Sequence, residues 1–262
     1  MVKKKITEAV KSDDAKSKRW RSLFAAGRMA YETGELRQAE SLLARAMELA
    51  KDIPERTFAV NATEIGTAAI LLAQKRTKEA ESRLRKSITT LEGESGSTLE
   101  ELLAVALRFH AQALVDFGDE RTAEGELKRS ATILGKLGSD AAVQMAYTLC
   151  DLCGLYLVQG RISEAEKNIL DAMQILCSVL GPEAPEYIRA DMIYKLCLPM
   201  QSDTMLDTAA DGIMQMEYFH VSKHPNIARA LGRYMKVLSD RGDATRLEEA
   251  KQRFGLKAVA KK

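Results

Sequence analysis

The chain has 262 residues, 46% apolar and 5% aromatic, with 39 Lys/Arg against 37 Asp/Glu for a net charge of +2. Ala and Leu dominate the apolar set, a mix that favours close-packed helices over sheet. No run of about 18 apolar residues reads as a membrane span, and Met1-Val2-Lys3-Lys4-Lys5 lacks the apolar stretch of a secretory signal.

The charge is unevenly spread. Residues 1–21 and 251–262 each carry +5, leaving −8 on residues 22–250. The ends are therefore read as a basic, partly disordered segment over 1–17 and a basic tail over 255–262. Basic tails on an acidic body could reach nucleic acid, an anionic membrane or an acidic partner.

Helical spacing begins near Lys18. The first pair is expected at about 18–33 and 35–51, with Ala26, Ala30, Leu36, Ala39, Leu43, Ala46 and Leu49 as its inner stripe. Gly34 suits the left-handed cap between the helices. The second pair, about 55–74 and 77–91, follows Pro54 and has Lys75 where glycine stood before. Gly93-Glu94-Ser95-Gly96-Ser97 is a connector. The third pair runs over about 98–117 and 120–135, and the fourth, after Gly138-Ser139, over about 140–159 and 162–179. A fifth pair starts near Pro185, is stopped near Leu198 by Pro199, and resumes over about 203–220. A helix from Pro225 to about Asp240, a break at Gly242 and a last helix over about 244–254 complete the pattern.

These pairs are one degenerate unit repeated. Gly34-Glu35-Leu36-Arg37-Gln38-Ala39-Glu40, Gly118-Asp119-Glu120-Arg121-Thr122-Ala123-Glu124 and Gly160-Arg161-Ile162-Ser163-Glu164-Ala165-Glu166 place glycine and alanine five apart. Ala39, Ala80, Ala123 and Ala165 follow one another at intervals of 41, 43 and 42 residues. A period in this range predicts stacked helical pairs, an architecture that presents a surface to a partner.

The residues resemble those of tetratricopeptide-repeat (TPR) proteins, in the longer-period form of kinesin light chains. Tyr156-Leu157-Val158-Gln159-Gly160 running into Ala165 resembles that family's helix–turn–helix core. Leu180-Gly181-Pro182-Glu183-Ala184-Pro185-Glu186 and Lys223-His224-Pro225-Asn226 resemble its connectors. The resemblance covers about residues 18–254 and implies an all-α, right-handed α-solenoid of five to six hairpins, with a partner segment in a concave groove lined by the first helices. Transferred to this chain, the groove would be lined by Arg21, Phe24, Arg28 and Tyr31, then Ile65, Ala69 and Leu72, then Arg108, Gln112 and Val115, and finally Tyr147, Cys150 and Leu157. At the points where chaperone-tail clamps use Lys and Asn stand Phe24, Arg28, Gly66, Val105 and Phe109, and only Arg28 keeps the charge type. The paired asparagines of kinesin light chains are missing too, so neither specialisation carries over.

Catalytic chemistry finds little support. Cys150-Asp151-Leu152-Cys153 has redox or zinc half-site spacing, but it lies mid-helix, away from the helix N-terminus that would lower a thiol pKa. Cys153 and Cys197 fall at small-residue packing points. The four cysteines, with Cys177, read as free thiols of a reducing compartment, the cytoplasm. His110, His220 and His224 sit beside no nucleophile in the sequence, and no glycine-rich phosphate loop exists. The chain is therefore expected to be a non-enzymatic scaffold or adaptor with no cofactor, no metal and no nucleic-acid partner. Its partner would be a peptide or protein segment. Self-association into homo-oligomers, and peripheral membrane contact through the basic tails, are the alternatives.

Overall fold

The computed structural model describes residues 2–197, 207–208 and 225–253, with side chains described from Asp14 onward apart from residues 196, 225–230, 233 and 253. The described residues form helices and short turns, with no strand among them. They divide into two units, Met1–Gln144 and Met145–Lys262.

The first unit holds α1 (Val2–Glu32), α2 (Leu36–Ala50), α3 (Arg56–Ala73), α4 (Thr77–Glu92), α5 (Ser97–Asp116) and α6 (Glu120–Leu137), then a 3-10 turn, Gly138–Ala141. Consecutive helices pack antiparallel, and the first helices also touch one another, α1 against α3 and α3 against α5. The helical path of α1 starts at Val2, so residues 2–17 of the basic segment share the first helix.

In the second unit α7 (Ala142–Val158), which starts at the end of the first, is followed by α8 (Ile162–Leu180), α9 (Pro185–Cys197), α10 (Pro225–Arg241) and α11 (Ala244–Arg253). Here α8 packs on α9, α9 on α10 and α10 on α11. The expected helix at about 203–220, the Pro199 stop, His220, His224 and the 255–262 tail lie outside the described residues.

One turn chemistry recurs at five helix ends. Gly34, Gly118, Gly160 and Gly242 have φ of 82°, 83°, 73° and 72°, and Lys75 occupies the same place at φ 63°. At each, the residue's own N–H bonds three residues back and the next N–H bonds five back, as in Gly34 to Tyr31 (3.1 Å) and Glu35 to Ala30 (2.8 Å). Lys75 to Leu72 (3.0 Å) and Arg76 to Leu71 (2.8 Å) copy it. This paired bonding satisfies carbonyls that a helix end would otherwise leave open and reverses the chain into the next helix. Asp119 and Asp243 add a cap: their side chains accept from the Thr122 and Arg246 N–H groups, each at 3.2 Å.

Ala39, Ala80, Ala123 and Ala165 are fully buried, as the repeat spacing requires. A methyl side chain at such a point permits close helix packing. The core of the first unit runs from Trp20 through Ala62, Ile65, Leu72, Leu84 and Leu91 to Leu102, Leu103 and Leu107. In the second unit Leu155, Ile169, Leu176 and Met192 are fully buried. Over Glu120–Val158 an 18-residue window is apolar enough to match the composition of a span, and 56% of that window is buried inside the protein. The 3-10 turn divides that stretch into α6 and α7.

Candidate functional site

The first helices were expected to line a groove, and the most polar set of residues named for it lies on α1. Arg21 and Arg28 are seven residues apart, two helical turns, and both are exposed. The Arg21 guanidinium meets Glu55 at 3.1 Å, and that of Arg28 meets Glu32 at 3.5 Å. The Glu55 carboxyl is held below the usual carboxylate range, chiefly by its own backbone N–H, against some burial, with added help from Ser17 and Arg21. Tyr31 is half-buried. Phe24 is committed to packing: it stacks on Trp20 with ring centroids 5.3 Å apart. Trp20 is 4% exposed, meets Phe58 edge-on and donates its Nε1–H to Thr63 Oγ1 at 3.1 Å. The Trp20–Phe24 pair therefore fastens α1 onto α3.

On α3 the structure corrects the expectation. Ile65, Ala69 and Leu72 are 3%, 4% and 6% exposed. Ile65 and Leu72 belong to the core shared with Trp20 of α1 and Leu102 and Leu103 of α5, so they support the wall rather than line it. The open side of α3 carries Val60, Glu64 and Thr67 instead. Gln112 on α5 is likewise buried, whereas Arg108 and Val115 are half-buried, with the Arg108 guanidinium 4.4 Å from the Phe109 ring centroid. In the second unit Leu157 is buried, and Tyr147 and Cys150 are half-buried on α7.

Two features leave no mark in the sequence. His110 is buried on α5 between carboxylates of two other helices: Nδ1 is 2.7 Å from Glu126 Oε2, and Nε2 is 3.6 Å from Glu81 Oε1. Burial alone would lower the imidazole pKa. The hydrogen bond and charge of Glu126, then those of Glu81, outweigh it and raise the value above 6.5. Arg85 pairs with Glu81 from the outside. The second feature is an open trough of about 780 Å³ between α3 and α4, whose floor and walls include Val60, Asn61, Arg56, Lys78 and Lys86.

The cysteines divide by environment. Cys153 and Cys197, from α7 and α9, are fully buried with sulfurs 3.6 Å apart as thiols. Cys150 is half-buried and Cys177 exposed. Among the described residues no group of three or more His, Cys, Asp or Glu is arranged to hold a metal ion.

No protein-family model matches the chain, and comparison with curated proteins finds no match. Solved structures do match. A Rap protein in complex with Competence and Sporulation Factor superposes over 91% of this chain with a TM-score of 0.69 at 14% identity. Aspartyl phosphate phosphatase F from Bacillus subtilis matches over 90% with a TM-score of 0.67 at 12% identity. TPR-like repeats of a kinesin light chain from Podosopora anserina match over 78% with a TM-score of 0.50 at 18% identity, covering 95% of that chain. The fold is that of the TPR solenoids. The chain spans 65% and 60% of the lengths of the first two proteins. The TPR fold accounts for the glycine–alanine spacing, since the same turn and the same close helix contact recur from repeat to repeat.

Proposed function

We propose that this TPR chain is a non-enzymatic scaffold or adaptor that binds a peptide or protein segment and supports assembly of a protein complex in the cytoplasm. The observation that carries this reading is the state of Arg21 and Arg28. Both guanidiniums are displayed on one side of α1, 64% and 61% exposed, and among the described residues each holds only a solvent-exposed ion pair. Such pairs contribute about 0–1 kcal/mol, so a carboxylate of a partner can replace Glu55 or Glu32 with little loss. Tyr31 on the same helix, with Arg108 and Val115 on α5, supplies the apolar and amphipathic contact that binding segments use. Tyr147 and Cys150 are proposed contacts of the second unit. A neighbouring fold, the Rap protein, was solved with a bound factor, which supports the reading by analogy of architecture alone.

Affinity capture from the host tests the proposal. The parent chain should retain a defined set of proteins, and Arg28→Glu combined with Tyr31→Ala should lose them. An unchanged set would count against this surface. Self-association is a second reading, favoured by Met29, which is 67% exposed on α1 between Ala25, Ala26 and the helix end. Light scattering over a range of concentrations separates the two, because a strict monomer removes the second.

A further inference from the structure

The trough between α3 and α4 goes beyond that reading, because it contains none of the contacts proposed there, Arg21, Arg28, Tyr31, Arg108, Val115, Tyr147 and Cys150. Its charges decide its character. Of its carboxylates, Glu64 is neutralised by Arg83, and Glu79 is held by Arg76 from outside the trough. Arg83 is thereby committed. Arg56, Lys78 and Lys86 remain as cations with no carboxylate partner among the described residues. The trough thus presents three uncompensated positive charges along its walls.

The floor is equally specific. Asn61 is 5% exposed and donates one Nδ2 hydrogen to the Thr57 carbonyl at 2.8 Å. That leaves its Oδ1 without a hydrogen bond from the described residues, together with a second amide hydrogen. A primary amide with one free acceptor and one free donor matches one peptide unit of an extended chain, which offers an N–H and a C=O. Val60 beside it gives the ligand backbone an apolar seat.

Dimensions set the ligand. Lys78 and Lys86 are eight residues apart on α4, about 12 Å along the helix, and Arg56 to Glu64 spans about the same on α3. In an extended peptide, side chains on one face recur at about 6.8 Å, so three alternate acidic residues cover about 14 Å. We propose that the α3–α4 trough is a docking site for an extended acidic peptide with Asp or Glu at alternate positions, its carboxylates on Arg56, Lys78 and Lys86 and its backbone read by Asn61.

Titration calorimetry on the full chain tests this with an octapeptide of alternating Glu and Ala, and with its Gln-for-Glu counterpart. The acidic peptide should bind saturably and the Gln peptide at least tenfold more weakly. Lys78→Glu with Lys86→Glu should weaken binding about tenfold. The control pair Lys136→Glu and Lys167→Glu, exposed elsewhere and equal in net charge change, should alter it less than twofold. Asn61→Ala, checked for an unchanged melting temperature, should weaken it several-fold. Arg28→Glu with Tyr31→Ala should leave it intact, so loss of binding there alone would assign the peptide to the α1 surface and overturn the trough. Equal weakening by the two lysine pairs, equal binding of the Gln peptide, or no binding would also overturn it.

Discussion

Gly27 of α1 stands directly against Leu43 of α2. A Cβ built on Gly27 would lie 2.8 Å from Leu43 Cδ2 and 3.0 Å from its Cγ. Leu43 cannot swing aside freely: it is 2% exposed, and Gly66 of α3 approaches its other methyl so closely that a Cβ there would sit at 3.1 Å. Three helices therefore meet through one leucine and two missing side chains.

Gly27→Leu should accordingly destabilise the chain by about 1–3 kcal/mol through overpacking. Gly125, on the open side of α6, has no neighbouring atom within 4 Å of the point a Cβ would occupy, and Gly125→Ala should stabilise by about 0.5–1 kcal/mol through helix propensity. Urea unfolding of the two variants measures the contrast. Equal effects would mean that the α1–α2 contact is looser than the Gly27–Leu43 approach implies.

Lys75 carries the usual strain of a side chain in the left-handed region, on the order of 1 kcal/mol, where four other turns use glycine. Lys75→Gly should stabilise by up to about 1 kcal/mol, less the entropy glycine adds to the unfolded chain. Gly118→Ala should destabilise by a similar amount. Thermal melts of both variants check the pair of signs.

His110 gives a pH dependence with a definite sign. Its folded pKa is raised above the ordinary 6.5, so the folded chain keeps a proton that the unfolded chain releases first. The resulting stability is complete below the unfolded pKa and fades as pH climbs through the folded one. Glu81 on α4 and Glu126 on α6 are the carboxylates facing the ring, with Arg85 behind Glu81. His110→Gln should cost about 1.5–3 kcal/mol near pH 6, the scale of a hydrogen bond to a charged group, and clearly less at pH 9. Denaturant midpoints at both pH values, with NMR titration of the His110 ring, provide the measurement. A variant whose loss does not change with pH contradicts the charged clamp.

Cysteine reactivity should follow burial. Cys177 should alkylate first, Cys150 next, and Cys153 and Cys197 only as the chain opens. Timed iodoacetamide labelling with peptide mass spectrometry ranks the four.

The repeat was legible because its turns need one backbone conformation, and glycine advertises it at Gly34, Gly118 and Gly160. Lys75 hides the same conformation, and there only the spacing to Ala80 betrayed it. The core alanines were readable for the same reason: a close helix approach tolerates few residue types. The site was less readable. Ten of the 18 residues of α3 are buried, so apolar periodicity could not say which face is open. The register taken from the TPR resemblance put Ile65, Ala69 and Leu72 on the groove, and Trp20 with Leu102 and Leu103 closes over that side in this chain. Phe24 was similarly drawn into the Trp20 stack. The His110 clamp left no local trace, because its carboxylates come from two other helices. A histidine flanked by neither partner in sequence looks like any packed residue. The trough was missed because its cations are spread over two helices among ordinary surface charges, and which of them lack a partner is decided only by folding.

If the α1 side of the TPR array receives another polypeptide, a photo-crosslinking residue at position 29, next to Arg28 and well exposed, should capture it. The irradiated products from the native host are weighed and sequenced. The expected result is a discrete adduct joining this chain to a different protein, lost when Arg28→Glu and Tyr31→Ala are added. An adduct of twice this chain's own mass, or no adduct at all, would contradict it.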